Sequence, residues 1–317
     1  MTTMSDWSPS EKNYCVFFGA GFSKWACDLP TAPGLFDFNI TIWGVKEQPK
    51  LDQIKLIKER WDTRNPTGTS EEFIKQLIES SPSEKKLVTW YIARRLTDPL
   101  IWYTPYGRRS VLSIDDKRIV SFGGVTKAKS FIDSIISPNL SGILTTNYDL
   151  LIEYSLGTEN FNYGTRFQEL HGKGRYPFTT YRTGPVQARG NLTLVKLHGS
   201  VSFTEKGYCT DGRGGITGKA LFIPPTQNKQ ILDFIAPEWE SAKNILKKSE
   251  NIVFFGFAFN QYDQNILNLF KETNGWMKKI ILINTNSRVI QFAQMIWPNA
   301  EIVLIHPDNL QKSSLPL

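Results

Sequence analysis

The sequence predicts an α/β fold: a Rossmann-like parallel sheet with helices on both faces and a helical insertion. Three observations carry this reading. Short apolar runs without polar alternation recur along the chain, and strands of that kind are covered on both faces, as in a parallel sheet. Amphipathic stretches separate the runs at crossover distance in the C-terminal third, which is a βαβ pattern. The first run ends in a glycine turn that opens a helix, the way α/β proteins bring backbone N–H groups toward a diphosphate.

Each element follows from local spacing. Tyr14-Cys15-Val16-Phe17-Phe18 is an apolar run closed by glycine and reads as a buried strand. Similar runs are Gly142-Ile143-Leu144, Leu192 to Leu197, Ile252 to Phe255, Ile280 to Ile283 and Ile302 to Ile305. Glu238 to Lys248, Asp263 to Lys271 and Ser287 to Ile296 are the helices between the last of them. From about Lys46 to Ser110 the spacing is helical instead. Ile54, Ile57 and Trp61 share one face, Phe73, Ile74, Leu77 and Ile78 another, and Leu87, Tyr91 and Arg94 continue the spacing. Asn65-Pro66-Thr67-Gly68 and Ser81-Pro82-Ser83 break the segment into three helices, each opened by a plausible cap. We place the insertion at residues 46–135 within one domain of 1–317. Asn160 to Arg189, rich in Gly, Tyr and Arg, reads as a long functional or partner-facing loop.

Length and composition bound the function. At 317 residues the chain makes one large domain or two modest ones, since cores rarely grow beyond about 250–300 residues. Aromatic residues make up 13% of it, which excludes a disordered scaffold. Cys15, Cys27 and Cys209 form no CxxC pair, so neither a four-thiolate zinc site nor a disulfide framework is expected. They fit a reducing cytoplasm. No apolar run approaches the roughly 20 residues of a membrane span, and the start lacks a signal pattern. The net charge of +7 suits nucleic acid, a phosphate-bearing ligand or an acidic partner alike.

Polar residues gather at predicted strand ends, where ligands of open α/β sheets bind. Gly19-Ala20-Gly21-Phe22-Ser23 is the first such end. Lys24 stands where GxGxxG would carry its third glycine, and no acidic residue follows on a clear second strand, so an ordinary dehydrogenase is not expected. A plain tight turn is the equal alternative. Thr145-Thr146-Asn147-Tyr148-Asp149 ends the next run; its bland reading is a helix cap by Asn147 or Asp149. Lys196-Leu197-His198-Gly199-Ser200 puts one of three histidines at the same edge, where histidine is the usual general base near neutral pH. Gly256 to Asp263 and Ile283-Asn284-Thr285-Asn286 repeat the arrangement. Four polar ends beside a glycine turn form one rim, the layout of a dinucleotide site.

Taken in order, these motifs resemble the SIR2-like (sirtuin-like) domains of prokaryotic antiphage defence proteins. The matching pieces are GAGFS at Gly19–Ser23, LPTAPGL at Leu29–Leu35, TTNYD at Thr145–Asp149, KLHGS at Lys196–Ser200, IPPT at Ile223–Thr226, GFAFNQYD at Gly256–Asp263 and the Asn284 strand end. Each is weak alone, and the ordered set spans nearly the whole chain.

The resemblance implies an NAD-binding Rossmann-like domain that consumes NAD⁺ as substrate. It implies Asn147 and His198 as catalytic residues, Gly19, Ala20, Gly21 and Ser23 along the diphosphate, and Gly256, Phe257 and Asn284 along the adenosine. Thr146, Asp149 and Asp263 complete the expected cofactor-binding set. Deacylase sirtuins carry a zinc ribbon of paired CxxC motifs, which this chain cannot build, and their GIPDFR-like loop is replaced by Asp28-Leu29-Pro30-Thr31-Ala32-Pro33. No zinc is expected, and NAD⁺ hydrolysis is favoured over deacylation. The expected setting is a toxic effector that depletes NAD⁺. It would be a homo-oligomer gated by a partner such as a HerA-like ATPase or a short Argonaute, with nucleic acid contacted only indirectly and no membrane. The alternatives are a non-catalytic sensor of NAD or ADP-ribose derivatives and a nucleic-acid-binding or nuclease subunit. The basic pairs, such as Arg94-Arg95 and Lys247-Lys248, are scattered rather than gathered in a stripe.

Overall fold

The structure, a computed structural model, describes residues 12–38, 48–101, 117–157, 160–164, 169–171, 186–187, 190–204, 209–210, 220–225 and 231–310. Its strands along the chain are β1 (Tyr14–Phe18), β2 (Leu140–Thr145), β3 (Phe161–Asn162), β4 (Glu169–His171), β5 (Val186–Gln187) and β6 (Leu192–Lys196). They continue with β7 (Gly199–Thr204), β8 (Cys209–Thr210), β9 (Ala220–Phe222), β10 (Asn251–Phe255), β11 (Lys279–Ile283) and β12 (Glu301–Ile305). The helices are α1 (Ala20–Cys27), α2 (Gln48–Arg64), α3 (Ser70–Ser80), α4 (Pro82–Ile101), α5 (Lys117–Ile135), α6 (Leu151–Leu156), α7 (Ala236–Lys248), α8 (Gln264–Glu272) and α9 (Val289–Ile296).

The apolar runs form one sheet in the order β12-β11-β10-β1-β2-β6-β3, and every neighbouring pair in it is parallel. This is the Rossmann-like parallel sheet with helices around it. The absence of polar alternation has a direct cause in β1. Tyr14, Val16 and Phe18 enter one core, with Phe22 of α1 and Phe131 of α5. Cys15 and Phe17 enter the other, with Trp239 of α7, Phe270 of α8 and Ala293 of α9. Both faces of the strand are buried, so no position is left for a polar residue. The same burial pushes the Cys15 and Cys27 thiols up to about 12, which keeps them protonated and unreactive.

The helical segment divides in two. Helices α2, α3 and α4 pack on one another. A capping box opens α3: Thr69 Oγ1 accepts from Glu72 N at 3.2 Å while Glu72 Oε2 accepts from Thr69 N at 2.8 Å. Helix α5 packs mainly on α1 and α6, also meets α4, and lies beside the sheet it feeds through β2. Two aromatics of the predicted insertion, Trp102 and Tyr103, and its further basic pair Arg108-Arg109 lie outside the described residues.

A second sheet, β5-β4-β8-β7-β9, was not foreseen from sequence. It is mixed: β4 pairs β8 in parallel, and the other pairings are antiparallel. Parts of the stretch read as a loop, Asn160 to Arg189, supply β3, β4 and β5, while 165–168, 172–185 and 188–189 lie outside the described residues. Strands of two or three residues are too short to show a period, so only pairing partners reveal them.

Candidate active site

The sheet order reverses at β1 and β10, where connections leave in opposite directions and open a crevice at the carboxyl ends of the strands. The two turns flanking the crevice interlock. Gly19 N donates to Phe255 O at 2.9 Å, Gly21 N to Gly256 O at 3.0 Å, and Gly256 N to Ile283 O at 2.9 Å. A Cβ on Gly19 would stand 2.6 Å from Gly256 O, and one on Gly21 would stand 2.6 Å from Gly256 Cα. The room left by these missing side chains is filled by the neighbouring turn rather than held open for a ligand. Gly256 itself has φ +66°, and a Cβ there would meet the Gly21 carbonyl carbon and Phe22 N at 2.4 Å.

The second strand end is locked to the first. Thr145 Oγ1 donates to Phe18 O at 2.9 Å and accepts from Asn147 N at 2.9 Å. Asn147, 5% exposed, donates its amide hydrogens to Gly19 O and to Ser23 Oγ, both at 3.0 Å. Ser23 Oγ donates in turn to Asp149 Oδ2 at 2.8 Å, and Asp149 Oδ1 accepts from Leu151 N at 3.0 Å at the start of α6. The N-cap position itself is Leu150; Asp149, one residue earlier, accepts from the first helical N–H and also anchors the network that holds Asn147.

His198 occupies the two-residue turn between β6 and β7, where the chain leaves the large sheet for the small one. Gly199, with φ +77°, makes that departure possible, since a Cβ there would stand 2.5 Å from Leu221 O. His198 is 3% exposed. Its Nε2 lies 3.8 Å from Asp263 Oδ1, and its ring stacks on Tyr148 at 6.1 Å with 26° between the planes. Burial, then the Asp263 and Glu71 carboxylates, hold the Tyr148 hydroxyl well above the ordinary phenol range, so it stays neutral.

These groups share one cavity of about 620 Å³. Of the residues predicted for the site, Ala20, Gly21, Ser23, Thr146, Asn147, Asp149, His198, Gly256, Phe257, Asp263 and Asn284 all line it. Gly19 lies one step behind the wall, its carbonyl holding Asn147. Asn284 ties the β10 and β11 ends together, donating from Nδ2 to Phe257 O at 2.9 Å. From the LPTAPGL and IPPT motifs, Pro30 to Pro33, Leu35 and Pro225 line the cavity, while Thr226 lies outside the described residues.

The cavity also takes in residues the sequence reading left aside: Trp25, Glu71, Leu96, Tyr148, Tyr262 and Asp308. Glu71 and Leu96 come from the helical segment, which reaches the site in a second way. Tyr91 Oη donates to Leu35 O at 2.8 Å, and Arg95 Nε donates to the same carbonyl at 3.2 Å, pinning the loop that forms one wall. Among the described residues lining the cavity, Lys24 is the one lysine or arginine, against the carboxylates of Glu71, Asp149, Asp263 and Asp308. No three His, Cys, Asp or Glu side chains gather into a metal-holding group among the described residues. No described helix is long and apolar enough to cross a membrane.

Residues 141–289 match the family model described as a SIR2-like domain. That span contains Asn147, His198, Gly256, Asp263 and Asn284 but not the Gly19–Ser23 turn. Among solved structures the chain is similar to a mutant Sir2 homologue in complex with 2′-O-acetyl ADP ribose, at 14% identity and a TM-score of 0.45 over 96% of this chain and 91% of that one. It is also similar to a structure described as the basis for the mechanism and regulation of Sir2 enzymes, at 11% identity and a TM-score of 0.39 over 96% and 90% of the two chains. No curated protein matches the sequence.

Proposed function

We propose that this chain is an NAD⁺ glycohydrolase, cleaving NAD⁺ to nicotinamide and ADP-ribose. The observation that carries the reading is the convergence of Asn147, His198 and Asp263 on one cavity beside the glycine turn. The match of residues 141–289 to a SIR2-like domain supports NAD as the ligand.

The chemistry suits so spare a set of groups. Glycosidases acting on ordinary sugars need an acid to protonate the departing oxygen. Nicotinamide leaves from a cationic pyridinium: the C1′–N bond breaks, its electron pair goes to the ring nitrogen, and the leaving group is neutral without a proton. A water oxygen then bonds C1′ and passes a proton to His198. Asp263, 3.8 Å from Nε2, stabilises the imidazolium that forms. With its NH₂ engaged by Gly19 and Ser23, Asn147 accepts from a ribose hydroxyl or the attacking water through Oδ1.

Among the described residues lining the cavity, Lys24 is the one cation available to the diphosphate. Its side chain is 54% exposed and pairs with Asp28, so screening limits its worth. Lys24→Ala is expected to raise KM for NAD⁺ by roughly threefold to tenfold with kcat nearly unchanged, the pattern of a contact made equally in ground and transition states. Steady-state kinetics check this; an unchanged KM removes Lys24 from the site.

The defence setting rests on the ordered motif set. In that setting the chain is a toxic effector that works as a homo-oligomer and is gated by a partner such as a HerA-like ATPase. The decisive assay follows nicotinamide release and NAD⁺ loss by chromatography, with the chain alone and with its genomic-neighbour protein. Release of nicotinamide with equimolar ADP-ribose supports hydrolysis. Tight NAD⁺ binding without release in either preparation overturns it in favour of a sensor.

A further inference from the structure

Behind the cavity wall lies a buried charged cluster that the reaction does not use. Lys196, Glu153 and Tyr163 are all fully buried. Lys196 Nζ donates to Glu153 Oε1 at 2.8 Å and to the backbone carbonyl of Asp149, while Tyr163 Oη donates to the same Glu153 oxygen at 3.0 Å. Glu153 Oε2 has no hydrogen-bond partner among the described residues. An ion pair this deep, and this incompletely satisfied, is a poor way to stabilise a fold. Apolar side chains of similar volume do as well or better, because desolvating two charges offsets most of their attraction.

What the pair does have is a particular position. Lys196 ends β6, two residues before His198. The carbonyl it holds belongs to Asp149, two residues after Asn147, and the Asp149 side chain reaches Asn147 through Ser23. The two turns are also joined along the main chain, where Leu197 N donates to Thr145 O at 2.9 Å and Val201 N to Tyr148 O at 3.0 Å. Lys196 adds a side-chain strut to that seam, at the far end of the Asn147 turn. Glu153 and Tyr163 orient the ammonium, which on a flexible stem would otherwise sample other geometries.

We propose that Lys196 is a positioning residue, oriented by Glu153, that fixes the Thr145–Asp149 turn and with it the Asn147 amide against His198. The inference rests on the hydrolase reading above. Ground-state binding is spread over the whole cavity wall, whereas the alignment of Asn147 with His198 acts at the transition state, so loss of the strut should fall on kcat.

Single replacements strand a buried charge and are expected to unfold the chain. The test is therefore the triple variant Lys196→Met/Glu153→Leu/Tyr163→Phe, measured beside the parent for melting temperature, kcat and KM. The expected result is a melting temperature within about 5 °C of the parent and a kcat lower by roughly 10- to 100-fold, the cost of an ångström-scale misplacement. KM should stay within about threefold, since uniform binding is preserved. A folded variant with parental kcat overturns the positioning role while leaving the hydrolase reading intact. A variant that does not fold also overturns it, by showing that the pair holds the fold itself. If the parent releases no nicotinamide, the hydrolase reading falls and this inference with it.

Discussion

Replacing His198 with alanine is expected to lower NAD⁺ turnover by roughly 10²–10⁴-fold, the usual contribution of general-base help. The ring is buried and stacked on Tyr148, so the change also opens a small gap. Turnover should nonetheless fall far more than stability, because the link to Ile223 N at 2.8 Å is made by the main-chain carbonyl of His198 and survives the change. Asn147→Ala should match the loss in kcat and lower the melting temperature as well. It leaves the Gly19 carbonyl and Ser23 hydroxyl without their donor, a cost of about 1–3 kcal/mol when such groups are buried. Nicotinamide release by the two variants, measured with thermal melts, separates these effects. Parental turnover in either variant would defeat the assignment of that residue.

Among changes that leave no buried charge unpaired, Gly256→Ala carries the largest expected effect on stability. A left-handed backbone costs a non-glycine residue about 1–2 kcal/mol. The new methyl would stand 2.4 Å from the Gly21 carbonyl carbon and Phe22 N, backbone atoms that cannot rotate aside, adding about 1–3 kcal/mol of overpacking. The sum of about 2–5 kcal/mol corresponds to a melting temperature lower by roughly 3–8 °C for a chain of this size. Because the crevice is framed by those same two turns, NAD⁺ affinity should drop too. Gly275→Ala is the internal control: nothing lies within 4 Å of its Cβ position, and its melt should stay near the parent's. Equal melts for the two variants would show that the turns do not interlock as described.

Much of the site was legible because its residues sit at places the local sequence marks. Apolar runs ending in polar clusters identify strand ends, and a parallel sheet brings the ends of its strands to one rim. That is why strand-end position alone marks Asn147, His198, Gly256 and Asn284, all of which line the cavity. Other features carry no local mark. Tyr148 lies inside the TTNYD motif, yet only the stack on His198 gives it a role. Asp263, expected along the cofactor, lines the cavity, and only the fold brings it to within 3.8 Å of His198 Nε2. Glu153 lies in an unremarkable helix until Lys196 reaches it from another strand. Glu71, Leu96 and Asp308 arrive at the cavity from distant parts of the chain, and no periodicity within their own segments could signal it.

The sequence by itself determined the parallel α/β class, the helices between strands and the rim on which the site lies. Those follow from which residues must be buried and from where glycine and polar residues interrupt burial, and both are written locally. The tertiary structure alone decided that the Gly19–Ser23 and Gly256 turns pack backbone to backbone, where Cβ atoms on Gly19 or Gly21 would collide. It alone decided that the chain turns into a second sheet directly after His198, and that a buried lysine ties the two proposed catalytic turns together. Each of these is a contact between segments far apart in the chain, whose energy depends on distances that no single segment contains.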